Sequence, residues 1–389
     1  MNFDKLTAYL DNLSERYGVP SVDLKIVKDL EEIYRHMTGF CDYEKTVPIS
    51  ANNLYNIYSC SKPVTMVAVM QLVEQGKIDL FDPLDKYLPE YAQMYYATDI
   101  DFGGPNFHWP TSTSHLVKAE NKIYIHDLMS MTAGFSYDVE ADAIVDIVKQ
   151  SNGSANTREI VAAMAKMPLM YEPGTHYSYS LSHDVLAAVV EVASGMTFAQ
   201  YMQKHIFDPL EIRDIFYHIP ADQNHRLVAQ YAKNMETGEI KPDQSMPYRF
   251  TEHYDSGGAG LTCTVDAFCK IIDALANGGI GHNGVRILKP ESIDTMRKDW
   301  LNETQKKDFA PSRKIGYSYG LGVRTLVDST KAKTPVGEFG WDGAAGAFSL
   351  VDPTNHICIY YAQEVLTMLE AYYEIFPAIR DLAYEAMGY

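Results

Sequence analysis

Cysteine is scarce in this chain of 389 residues: Cys41, Cys60, Cys263, Cys269 and Cys358 are scattered, odd in number and nowhere spaced as CxxC. Such a set forms neither a disulfide framework nor a zinc knuckle, and it fits reduced thiols in a cytosol. Positive charge is also short, with 33 Lys and Arg against 51 Asp and Glu, for a net charge of −18. An acidic surface repels phosphate backbones and anionic lipid, so neither nucleic acid nor membrane is an expected partner. No apolar run approaches membrane-spanning length. The first residues, MNFDKLTAYLDNLSERYGV, carry early acidic groups and no apolar h-region, so a cytoplasmic location is expected. The twelve histidines show no HExxH or comparable spacing, no Gly-rich phosphate loop links a strand to a helix, and Gly-x-Ser-x-Gly is absent. No metal or organic cofactor is therefore expected.

What is present is ordinary globular material, 46% hydrophobic and 22% charged, long enough for two domains or one large composite one. Periodicity predicts a helix over 4–16, paired strands over 19–26 and 32–39, and a helix over 63–75 that is apolar around most of its circumference and so buried. Further helices are predicted over 125–132, 157–166, 185–194 and 265–277, strands over 316–322, 347–351 and 356–363, and a long terminal helix over 364–387. Residues 92–121 mix Tyr95, Tyr96, Phe102, Phe107 and Trp109 with Gly103, Gly104, Pro105 and Pro110. That composition forbids a regular element and suits a loop packed on the body or walling an active site. Strands cluster at both ends with helices between. The expected fold is α/β (α+β), with an antiparallel sheet domain from 1–80 and 310–389 and a mostly helical region at 81–309.

Chemistry concentrates at Tyr58-Ser59-Cys60-Ser61-Lys62-Pro63, where an extended stretch gives way to the buried helix. Ser59 is the only serine followed three residues later by a lysine. Positions i and i+3 share a helical face, so the Lys62 amine can reach the Ser59 hydroxyl and take its proton. The plain alternative is an N-cap serine accepting a backbone N–H. Cys60 points about 100° away from its neighbour on a helix. It is expected to be a core thiol.

Further stretches turn this pair into a pattern. They are SCSKPVTMVAVMQLVEQGKIDLFDPLDKYLPEY from Ser59, IYIHDLMSMTAGFSY at 123–137, YEPGTHYSYSLSHDVLAAVVEVASG at 171–195, SGGAGLTCTVDAF at 256–268, and GYSYGLGV with FGWDGAAGAFSLVDP at 316–353. Together, in this order, they resemble the class C β-lactamase-like serine hydrolases of the penicillin-binding-protein-like fold. The resemblance implies Ser59 as nucleophile, Lys62 as its partner and Tyr179 as the tyrosine of Y-x-N that shares the base role. It also implies an oxyanion hole at the N–H groups of Ser59 and Ala344, with Gly343 letting a strand approach the substrate. Two positions depart from the β-lactamase branch: Leu181 replaces the Asn of Y-x-N, and Trp341, in Trp341-Asp342-Gly343, replaces a cation that holds a substrate carboxylate. Both variants resemble the esterase branch, the family VIII carboxylesterases. The expectation is a cytosolic serine hydrolase acting on small-molecule esters of small or medium acids. The alternatives are a β-lactamase or D-amino-acid peptidase of the same family, and a β-lactam sensor that acylates without turning over.

Overall fold

Both ends of the chain build one sheet. The computed structural model describes residues 1–100, 108–111, 114–312 and 314–389. Its largest sheet has seven strands in the order Tyr317–Tyr319, Arg324–Leu326, Phe339–Gly340, Phe348–Asp352, Ile357–Ala362, Ser21–Lys28 and Glu31–Gly39. Every neighbouring pair is antiparallel, with Lys25 opposite Tyr360 where the two ends of the chain meet.

Side chains alternate across a strand, and here both faces are covered. Leu24, Ile26, Leu350, Ile359 and Tyr361 pack with Leu6, Leu10 and Ile379 of the terminal helices Asp4–Asp11 and Phe376–Met387. Val351, Cys358, Tyr360 and Ala362 join the larger core on the opposite face, which holds the helices Ser61–Glu74 and Val265–Ala276. Fully burying each large aliphatic side chain stabilises the fold by roughly 1.5–3 kcal/mol. Ser61–Glu74 is buried at every position from Ser61 to Leu72, as its all-round apolar sequence predicts.

Three local expectations change. The terminal helix predicted over 364–387 is preceded by a short strand, Val365–Leu366, parallel to Tyr231–Ala232; the helix starts at Leu369, passes through a π-helical turn at Ala371–Ile375 and continues as an α-helix over Phe376–Met387. Pro377, which donates no N–H, sits just past the junction of those two stretches. The strand predicted over 316–322 stops at Tyr319, because the chain turns back there, with the Gly320 N–H on the Val323 carbonyl and Gly322 at φ +72°, to pair Tyr319 with Arg324. Within 92–121, a two-stranded hairpin forms from Tyr95–Ala97 and Leu116–Lys118. Trp109 is buried there against Phe135 and donates to the Pro168 carbonyl at 2.6 Å. Phe102, Gly103, Gly104, Pro105 and Phe107 lie outside the described residues. Among the described residues no single helix is long and apolar enough to cross a membrane.

Candidate active site

A strained turn delivers Ser59. The strand Tyr55–Asn56 leads into Tyr58, which holds φ at +43°, and a 3₁₀ turn over Tyr58–Cys60 feeds the buried helix. A tyrosine with positive φ costs energy and persists only where its surroundings hold it, commonly at functional turns. The Tyr58 hydroxyl is anchored by donation to Gln230 at 2.5 Å. Ser59 caps nothing through its side chain and opens onto a cavity of about 570 Å³. Cys60 is fully buried and donates to the Trp341 carbonyl, the core thiol that the sequence suggested.

Lys62 lies beneath the serine with no exposed surface. Its Nζ sits 3.2 Å from Ser59 Oγ, 3.3 Å from the Tyr137 hydroxyl and 2.9 Å from the Gly258 carbonyl. All three partners are neutral. Burial pushes the amine down to about 7, against the attraction of Asp184 and of Cys60. One Asp184 oxygen, Oδ1, accepts from the Tyr254 and Ser256 hydroxyls at 2.6 Å each, while Oδ2 has no hydrogen-bond partner among the described residues. The approach is close: a Cβ on Gly258 would fall 2.7 Å from Asp184 Oδ2 and 3.3 Å from Lys62 Nζ. A lysine that is half neutral near pH 7 keeps a lone pair for a serine proton.

Two parallel tyrosines close over this pair. Tyr137 and Tyr179 stack with ring centroids 5.1 Å apart and planes 5° apart, and Lys62 Nζ lies 4.6 Å from the Tyr179 ring centre. Burial raises both phenols well above their ordinary value, although hydrogen bonding with Ser59 works against it in each. Tyrosinate at Tyr179 is therefore not the resting form. Trp341 Nε1 donates to Tyr179 Oη at 3.0 Å. An indole only donates, so the phenol must send its own proton elsewhere.

Of the remaining expected residues, Trp341 and Ala344 line the cavity with Ser59 and Tyr179, whereas Gly343 and Leu181 do not. Leu181 is buried in the main core, just ahead of the helix Ser182–Ser194. Gly343 serves the backbone: a Cβ there would meet the Ile57 carbonyl at 2.3 Å, so glycine lets this loop press against the turn before Ser59. Tyr372 holds the same loop, its hydroxyl 2.9 Å from the Gly343 carbonyl and 3.3 Å from that of Ala344. The Ala344 N–H has no acceptor among the described residues.

The sequence reading missed Tyr137, Tyr372 and Lys314. Tyr137 closes the quoted stretch IYIHDLMSMTAGFSY, so its signal was available. Lys314 gave none. It comes from outside any motif, yet its Nζ lies 5.2 Å from the Trp341 ring centre and pairs with Asp342. The cation lost at Trp341 is thus partly replaced from another segment. None of the described residues in 92–121 lines this cavity.

The fold and this cluster define a penicillin-binding-protein-like serine hydrolase class. The Beta-lactamase family model matches residues 6–381, and the chain belongs to that family. Protein Rv1367c of Mycobacterium tuberculosis is 29% identical over 333 residues, covering 83% of this chain and 80% of its own. Esterase EstB of Burkholderia gladioli is 28% identical over 373 residues, covering 90% of this chain and 86% of its own, which supports the esterase branch. The solved structure of EstCE1, described as a hydrolase with promiscuous acyltransferase activity, superposes with a TM-score of 0.78 at 22% identity over 98% of both chains.

Proposed function

We propose that this protein hydrolyses carboxylic esters of small or medium acyl groups through an acyl-enzyme on Ser59. One observation carries the reading: a fully buried Lys62, brought to about 7, stands 3.2 Å from the Ser59 hydroxyl. The Ser59 oxygen attacks the ester carbonyl while its proton passes to Lys62. The Tyr179 phenol, fixed by Trp341, donates to the departing alkoxide and is reprotonated from Lys62. Charge on the carbonyl oxygen is met by the N–H groups of Ser59 and Ala344, each such donor worth a few kcal/mol (roughly 2.7–4) in comparable sites. Water then adds to the acyl-enzyme, losing its proton to Lys62, which hands it to the Ser59 oxygen as that oxygen leaves and so restores the serine hydroxyl and the neutral amine. The products are a carboxylic acid and an alcohol.

A second reading keeps the same acyl-enzyme and lets an alcohol take the place of water. The description of EstCE1 as a hydrolase with promiscuous acyltransferase activity favours it. Both readings are tested with p-nitrophenyl butyrate, a chromogenic cephalosporin and a D-alanyl dipeptide, each with and without a primary alcohol. Ester turnover that disappears in Ser59→Ala is expected, with little cephalosporin cleavage. Fast cephalosporin cleavage without ester turnover would replace this reading with a β-lactamase, and stoichiometric labelling without turnover would replace it with a sensor.

A further inference from the structure

Next to the Ser59 cavity lies a second one of about 630 Å³, and the two share Lys314, Asp342, Tyr372 and Tyr373 in their linings. The second cavity is lined by the cations Lys314, Arg324, Lys331 and Arg380 against the carboxylates Asp342 and Asp381. This excess of positive charge sits on a chain whose net charge is −18. Part of it is committed. Arg324 donates to Asp342 and to the Ser349 carbonyl and approaches Glu338, while Arg380 is held by Asp381 and the Tyr317 hydroxyl.

The rest is not. Asp342 is one carboxylate between two cations, with one oxygen facing Arg324 and the other Lys314. An ammonium has three donors, and among the described residues Lys314 uses hydrogen bonding only toward Asp342. Lys331 is exposed at the rim with no ion pair among the described residues. Apolar surface from Phe348, Phe376 and Pro377 lies between these cations. A cavity with an apolar floor and unspent cations suits a short hydrocarbon chain ending in an anion.

We propose that this second cavity binds a carboxylate at the end of the substrate remote from the scissile carbonyl, with Lys314 and Lys331 as its partners. The preferred substrates are then esters that carry an acidic group a short apolar chain away from the reacting carbon. This rests on the ester-cleaving reading. Substrate entering the Ser59 cavity reaches Lys314 directly, because that residue belongs to both walls.

The test compares p-nitrophenyl hexanoate and octanoate with the p-nitrophenyl monoesters of adipic and suberic acid, which match them in chain length. A second arm places the carboxylate on the alcohol side, comparing phenyl hexanoate with the hexanoyl ester of p-hydroxybenzoic acid. In one arm or the other, the acidic ester is expected to exceed its neutral partner in kcat/KM by about tenfold, the scale of one charged hydrogen bond. The arm that shows it identifies which side of the ester enters the cavity. Lys314→Gln and Lys331→Glu should each shrink that ratio, Lys314→Arg should restore it, and added salt should reduce it. Equal or better turnover of the neutral esters in both arms, with a ratio indifferent to these substitutions, overturns the inference and leaves the ester reading intact. A binding readout separates the two further. Octanoate should raise the melting temperature of Ser59→Ala more than uncharged octanamide does, and an equal effect of the two overturns the inference even where no ester is turned over.

Discussion

Lys62 lies buried behind the serine of the Ser59 cavity and Lys314 stands in its lining, and their neighbours divide the work between them. Lys62 meets only a hydroxyl, a phenol and a carbonyl, so burial wins and its pKa falls to about 7. Lys314 is also lowered by burial, but the Asp342 carboxylate beside it pulls the other way and favours the charged form. A lysine among neutral dipoles becomes a base, while a lysine against a carboxylate stays a cation. One wall is therefore suited to moving a proton and the other to holding a charge. The partner carries much of the difference, and exposure adds to it, since the Lys314 side chain keeps 16% of its surface open where Lys62 keeps none.

Removing the base should separate the walls most sharply. Ser59→Ala and Lys62→Met are each expected to lower kcat/KM for p-nitrophenyl butyrate by about 10³-fold or more, as in other nucleophile–base units. Lys62→Met should do so without a loss of melting temperature. The folded-state value of about 7 lies below the ordinary 10.5, so the unfolded chain holds this proton more tightly than the fold does. The resulting destabilisation is fully present below pH 7 and is relieved as the pH climbs toward the unfolded value. Replacing the amine by an apolar side chain removes it. A melting temperature several degrees lower in Lys62→Met, measured at pH 7, would contradict the neutral-base assignment.

The pH profile gives the next largest effect. With Lys62 as acceptor, kcat/KM rises about tenfold per pH unit below 7 and levels above it as the amine deprotonates. Tyr179 stays protonated through this range because burial holds its phenol well above the ordinary value. An acid limb centred near 10 in a rate profile of the intact enzyme would shift the base role back to the phenol.

The base wall was legible in the sequence because local rules fix it. An i, i+3 spacing on a buried helix places Lys62 under Ser59 whatever the rest of the fold does, and Tyr179 follows from its motif. The sheet strands over 21–28 and 348–362 were legible for a similar reason, being mostly apolar runs bounded by turns, and 31–39 by its short turn to the strand before it. The charge wall was not. Lys314 reaches Trp341 and Asp342 across the sheet edge, and no periodicity encodes a contact between segments that far apart. Leu181 shows the converse error: it occupies a motif position but packs into the core before its helix. Residues 364–368 misled because their composition suits a helix, while pairing of Val365–Leu366 with Tyr231–Ala232 decides otherwise.

The aromatic bridge between the walls gives a more moderate test. Trp341 donates to Tyr179 on the base side and stands beneath Lys314 on the other. Trp341→Phe keeps most of the packing against Tyr319 but loses the N–H, leaving the Tyr179 hydroxyl free to rotate. About a tenfold fall in kcat with a smaller change in KM is expected, and Tyr179→Phe should cost about 10²-fold. If Trp341→Phe altered KM alone, the indole would belong to the charge wall rather than to proton transfer.

The smallest expected effect comes from the tether behind Ala344. The Tyr372 hydroxyl holds the carbonyls of Gly343 and Ala344, and so fixes the backbone of the residue that lines the cavity beside Ser59. Tyr372→Phe removes that tether and leaves the ring in place beside Phe376. The loop is still pressed against Ile57 through Gly343 and still closed by the 2.8 Å bond from the Gly343 N–H to the Ala347 carbonyl, so its position should soften rather than collapse. A loss of about threefold in kcat, with stability lowered by about 1 kcal/mol or less, is the expected outcome. Because an oxyanion donor acts mainly on the transition state, KM should hardly move. A change confined to KM would place Tyr372 with Lys314 as a substrate contact and leave the orientation of Ala344 to the backbone alone.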